Sequence, residues 1–178
     1  MCGFAGIYLF NKFNRSDYNK MSNELKFRGP DEFGEFIDIE NQIAFFHQRL
    51  SILDLTKNGS QPMESFSSRF VIAYNGEIYN HLDIRKIINE NNNINWKGSS
   101  DTETLLNAIE IFGINKALNI CTGVFSFVLW DKKNKELSLA RDKLGEKPLY
   151  YGFNNSIFFF WIRFISIQKE STICTKNK

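Results

Sequence analysis

At 178 residues the chain is long enough for one domain with a proper core and short of two comfortable ones. Its 43% hydrophobic and 24% charged residues are ordinary for a globular protein, which sets aside a disordered or fibrous chain. A net charge of +2, with lysines and arginines scattered among acids and no basic stripe, argues against a nucleic-acid partner.

The opening run Cys2 to Phe10 is apolar and punctuated by glycine, which suits a buried strand starting almost at the first residue. Ser16 to Phe27 carries Tyr18, Met21 and Leu25 near helical spacing behind an N-cap serine, so a helix is expected there. Arg28-Gly29-Pro30-Asp31 breaks it. Phe33 to Ile39, Gln42 to Leu50 and Arg69 to Tyr74 read as strands. The period then changes: His81 to Asn91 and Asp101 to Phe112 each place apolar residues on one helix face. Asn89 to Asn95 between them reads as a solvated loop. Gly123 to Asp131 returns to a strand, Lys132 to Lys135 turns, and Glu136 to Arg141 forms its partner. Leu149 to Phe153 and Ser156 to Phe160 make a second hairpin around Asn154-Asn155. Strands that pair mainly with sequence neighbours, plus covering helices, give an α+β class with antiparallel sheets.

Cys2, Cys121 and Cys174 are far apart and share no metal-ligand spacing with His47 and His81. These last four, all but Cys2, carry no expected role, and no metal site is expected. The start of the chain lacks the basic and apolar regions of a signal peptide, and the apolar run Ile157 to Ile162 is too short to span a bilayer. The expectation is a cytoplasmic protein with free thiols, away from membranes.

Six short strings must be read together: Met1-Cys2-Gly3, Arg28 to Asp31, His47 to Ile52, Asn75 to Asn80, Ser100 to Glu103, and Arg141 to Tyr151. Each alone is weak. By position alone, Cys2 reads equally well as a small cysteine of a buried strand. Asn75-Gly76 reads equally well as a tight turn, and the charges as surface groups. In this order and at these separations the strings resemble the class II glutamine amidotransferase domain, and within it the glutaminase half of glutamine-hydrolysing asparagine synthetases. The likeness covers roughly residues 1 to 160. It implies an N-terminal-nucleophile hydrolase fold, a four-layer αββα sandwich of two antiparallel sheets.

The resemblance also implies an activity, hydrolysis of L-glutamine to glutamate and ammonia. Cys2 supplies a thiol and, once Met1 is removed, an α-amine whose pKa of about 7.7 to 8.0 leaves part of it free to take the thiol proton near pH 7. Asn75 and Gly76 would form the oxyanion hole. Arg49 offers a planar fork for the α-carboxylate of glutamine. Glu77 and Asp101 offer carboxylates for its ammonium, and the backbone of Leu50, Ser51, Ile52 and Leu53 lines the pocket. Asp101 also reads as the N-cap of the helix it begins. Arg28, Asp31, Arg141 and Asp142 read as supports of the site.

The family continues into a synthetase domain that binds ATP and Mg and receives the ammonia. No glycine-rich phosphate loop occurs here, so no cofactor is expected in this chain, and the acceptor domain or subunit would be a partner. Homodimerisation is left open. Residues 161 to 178 depart from the family pattern and read as an atypical tail, the product of a truncated or frameshifted reading frame. A free apolar edge is then expected around Phe158 to Phe160. Rival readings are the glutaminase domain of another class II amidotransferase, such as amidophosphoribosyltransferase or glucosamine-6-phosphate synthase, and a non-catalytic glutamine-binding remnant.

Overall fold

The computed structural model describes residues 1–9, 14–154 and 156–163. Two antiparallel sheets lie face to face. The first has the order β2-β3-β1-β9-β8, built from β1 (Gly3–Tyr8), β2 (Glu32–Asp38), β3 (Ile43–Arg49), β8 (Tyr150–Asn154) and β9 (Ile157–Trp161). The second has the order β4-β5-β6-β7, from β4 (Met63–Glu64), β5 (Phe70–Ile78), β6 (Gly123–Asp131) and β7 (Glu136–Arg141). Helix α1 (Arg15–Leu25) covers the first sheet; α2 (His81–Asn91), α3 (Asp101–Phe112) and α4 (Ile114–Ile120) cover the second. The expected αββα layering is what the chain adopts.

Alternation along the strands builds this. On β1, Phe4 points between the sheets, where it meets Phe45, Val71, Val128 and Trp130, while Ala5 and Ile7 point outward to Tyr18, Met21 and Leu25 of α1. Each fully buried side chain of this size contributes roughly 1.5–3 kcal/mol. Glycine at position 6 is obligatory: a Cβ there would run into Phe160, Phe45 and the carbonyl of Ala44.

Several expectations shift. The cap of α1 is Asn14, whose Oδ1 accepts the Ser16 N–H at 3.0 Å, not Ser16 itself. Helix α3 is capped by Ser100, which accepts the Glu103 N–H at 3.2 Å, so Asp101 is the first helical residue and its carboxylate is released for other work. The Asn75-Gly76 pair is no turn: β5 runs through it, opposite Ser126 and Phe125. The expected boundary at residue 160 is too early. Trp161 pairs with Ala5 and Tyr150, and it and Ile162 are buried. Nor are Phe158 to Phe160 a free edge, since β9 lies between β1 and β8; the edge is β8, where Tyr151 and Phe153 are exposed. The rest of the expected tail, and Cys174, lie outside the described residues.

Candidate functional site

A cleft of about 270 Å³ opens where the start of β1, the end of β5 and the start of α3 meet, a size suited to a small metabolite. Cys2, just ahead of β1, lies on its wall. Its Sγ is 3.4 Å from both the carbonyl oxygen and the amide nitrogen of Leu50, and Arg28 Nε donates to its carbonyl at 3.1 Å. The adjoining turn is locked from the other side. Asp31 N–H donates to Arg49 O at 3.1 Å, and Asp31 Oδ2 accepts the Ser51 N–H at 2.8 Å. The Arg28 to Asp31 string thus braces both the cysteine and the loop facing it. Burial pushes the thiol pKa above its ordinary value, against the Leu50 backbone, the N-terminal ammonium and Arg49, which favour the thiolate.

The second wall is the free edge of β5. Along an antiparallel strand, N–H and C=O groups point alternately to the two sides. Odd residues of β5 face β6: Lys132 N–H donates to Arg69 O at 3.0 Å. Even residues face the other way. Phe70 O accepts from Ser65 N–H at 3.0 Å, Tyr74 N–H donates to Gln61 Oε1 at 2.7 Å, and Ile78 N–H donates to Asp101 Oδ2 at 2.9 Å. Gly76 lies in that series between Tyr74 and Ile78, so its N–H turns toward the cleft it lines. A Cβ at 76 would strike Phe125 and the Val124 carbonyl, which is why the position is glycine. Next to it, the Nδ2 of buried Asn75 has no hydrogen-bond partner among the described residues. An orphaned buried donor costs about 1–3 kcal/mol, so it is a place to look for a ligand.

Arg49, at the end of β3, is 6% exposed yet reaches the cleft. Its Nη1 bonds Glu32 Oε2 at 2.8 Å and Thr56 O at 2.9 Å, and its Nη2 bonds Asp54 O. Gly59 packs so closely against that Nη2 that a Cβ there would displace the guanidinium. The guanidinium is fixed in place before any ligand arrives. Asp101 is buried, and its Oδ2 accepts both the Ile78 N–H and, at 2.8 Å, the Tyr74 hydroxyl. Burial raises its pKa above the usual carboxylate value, while those two donors pull the other way. Glu77 is exposed on the cleft rim.

The structure therefore gathers Cys2, Arg49, Leu50, Ile52, Leu53, Asn75, Gly76, Glu77 and Asp101 around one cleft; Ser51 alone of the expected set lies outside its lining. Sequence reasoning missed Gln61, Tyr74, Gly59 and Thr102, which reach the site through contacts distant in the chain. Asp142 holds the turn after β7 by accepting the Phe125, Glu146 and Lys147 amides, and this sets Lys147 on the cleft rim near Met1. Arg141 is exposed. His47 is fully buried between the sheets, Nε2 2.9 Å from Tyr74 O, and burial holds its pKa down to about 4. Burial lifts the Cys121 thiol to about 11. Among the described residues no three His, Cys, Asp or Glu side chains are grouped to hold a metal, and no helix is long and apolar enough to cross a membrane.

A family model described as a glutamine amidotransferase domain matches residues 1–176. The chain belongs to the glutamine amidotransferase domain family. Among curated relatives, a putative glutamine-hydrolysing asparagine synthetase 2 of Methanocaldococcus jannaschii is 36% identical over 177 residues, covering 90% of this chain and 33% of the relative. The glutamine-hydrolysing asparagine synthetase 1 of Bacillus subtilis is 35% identical over 165 residues, covering 89% of this chain and 25% of the relative. This amidotransferase domain thus spans a third or less of the length of those relatives. Its fold matches the glutamine phosphoribosylpyrophosphate amidotransferase of B. subtilis solved with ADP and GMP, with a TM-score of 0.72 at 19% identity over 90% of this chain and 41% of that one.

Proposed function

We propose that this domain hydrolyses L-glutamine to glutamate and ammonia with Cys2 as nucleophile. The observation that carries the reading is the orphaned Asn75 Nδ2 beside the inward-turned Gly76 N–H, in the cleft where the Cys2 thiol lies. Two donors lining one cleft, one of them unpaired and buried, suit a negative charge that exists only transiently.

In the reaction, Met1 has been removed and the α-amine of Cys2 is free. That amine takes the Sγ proton as sulfur attacks the side-chain carbonyl carbon of glutamine. The C=O π electrons move to oxygen, which Asn75 Nδ2–H and Gly76 N–H stabilise. Collapse of the tetrahedral intermediate breaks the C–N bond. The ammonium of Cys2 returns its proton to the leaving nitrogen, and ammonia departs from a γ-glutamyl thioester. Water, deprotonated by the same amine, attacks the thioester carbon; glutamate leaves and the thiol is restored. Arg49 binds the α-carboxylate of glutamine, and Asp101 with Glu77 binds its ammonium. A thiol, an amine, the attacking water and two N–H donors account for every proton and electron pair in this sequence, so the step requires no cofactor.

The ammonia passes to a synthetase unit of the kind named in the relatives, and any ATP and Mg requirement belongs to that unit. Hydroxylamine trapping tests the intermediate. The Met1-processed wild type should form γ-glutamyl hydroxamate from glutamine, and Cys2→Ser none. Hydroxamate formed equally by Cys2→Ser would overturn the reading.

A further inference from the structure

We infer that Gln61 is a positioning residue for the Asn75–Gly76 donor pair, an inference that rests on the glutaminase reading above. The last main-chain pairing of β4 with β5 is Met63 opposite Ile72. The same register would set Gln61 opposite Tyr74, but the main-chain ladder stops at Met63. The next outward-facing peptide of β5, that of Tyr74, would be left open just before the donor pair. Two side chains take the place of the missing strand. Gln61 Oε1 accepts the Tyr74 N–H at 2.7 Å, and His47 Nε2 donates to the Tyr74 carbonyl at 2.9 Å.

Gln61 then reaches further. Its Nε2 donates to Thr102 Oγ1 at 3.3 Å, at the start of α3 beside Asp101. Its own backbone is wedged against Gly34 of β2, where any side chain would strike the Gln61 carbonyl. One buried amide therefore ties the β5 edge to the helix that carries Asp101 and to the opposite sheet. It sets where the Asn75 side chain and the Gly76 N–H point without itself touching the reacting atoms. A displacement of about 1 Å in such a group costs on the order of 100-fold in rate.

The test measures glutamate release, Cys2 alkylation by iodoacetamide and thermal unfolding in wild type and Gln61→Met, which keeps length and removes the acceptor. Alkylation needs the thiol but no oxyanion donors. The expected result is a fall in kcat of about tenfold or more, with KM and alkylation rate within about twofold of wild type. A kcat within about twofold of an active wild type would overturn the inference. So would alkylation and kcat falling together, which marks general damage to the site. Should Gln61→Met unfold, Thr102→Val, which removes the partner of Nε2, replaces it: a smaller fall in kcat of about threefold is expected, and an unchanged kcat would overturn the inference. A wild type that releases no glutamate overturns the glutaminase reading itself, a result distinct from all of these.

Discussion

The Tyr74 hydroxyl donates to Asp101 Oδ2 at 2.8 Å, and the same oxygen accepts the Ile78 amide at 2.9 Å, so one carboxylate oxygen is held by two points of β5. Burial nevertheless leaves the Asp101 pKa above its ordinary value. A carboxyl raised in the folded state binds more protons folded than unfolded, so its contribution to stability falls as pH rises through that pKa. Binding of an ammonium group runs the other way, since it needs the ionised form. Glutamine KM should therefore rise as pH drops below neutral toward the acid range. Asp101→Asn should weaken that dependence and bind glutamine poorly, while being at least as stable as wild type at pH 7. Steady-state kinetics and urea unfolding across this range check both.

Asn75 predicts an unusual separation of activity from stability. Its Nδ2 has no partner among the described residues, so Asn75→Ala removes an unpaired buried donor and loses no hydrogen bond made by that atom. Stability should be unchanged or higher by up to about 1 kcal/mol. Loss of one oxyanion donor should lower kcat by about 100- to 1000-fold. Unfolding and turnover measured on one preparation decide it.

His47 sets an acid limit on the fold. Buried between the sheets, it stays neutral down to a pKa of about 4, whereas an unfolded histidine protonates near 6.5. The unfolded state binds the extra proton in that interval, so stability is lost as pH falls from about 6.5 to 4, by about 3 kcal/mol in all. This slope is opposite in sign to that of Asp101. Urea unfolding at several pH values should show it, and His47→Gln should flatten it.

Gly59 tests the Arg49 clamp without touching its charge. A Cβ at 59 would collide with Nη2 and force the guanidinium off its bonds to Asp54 and Thr56. Gly59→Ala should raise glutamine KM by about tenfold or more and leave kcat within a few-fold, the signature of lost substrate binding.

Much of the fold was legible because its strands and its three longer helices carry strong periodicity. What escaped were features set by distant contacts. Helix α4 is short, and it follows Gly113, whose φ of 81° reads locally as a terminator. Strand β4 is two residues, directly after a proline. Asn75-Gly76 looks like a turn until nine residue pairs between β5 and β6 override the local preference. At the site, Cys2, Arg49 and Asp101 were found through their company in the sequence. Gln61 and Tyr74 were not, because an amide and a phenol announce nothing until the fold brings the amide to the Tyr74 backbone and the phenol to Asp101.

Attack of the Cys2 thiol on glutamine is the step on which the whole mechanism rests. The most direct measurement is glutamine-dependent glutamate release by purified chain whose mass shows Met1 gone, with Cys2→Ala alongside. Wild type should release glutamate steadily, with a loss of at least about 1000-fold in Cys2→Ala. Release that persists undiminished in Cys2→Ala would contradict that mechanism.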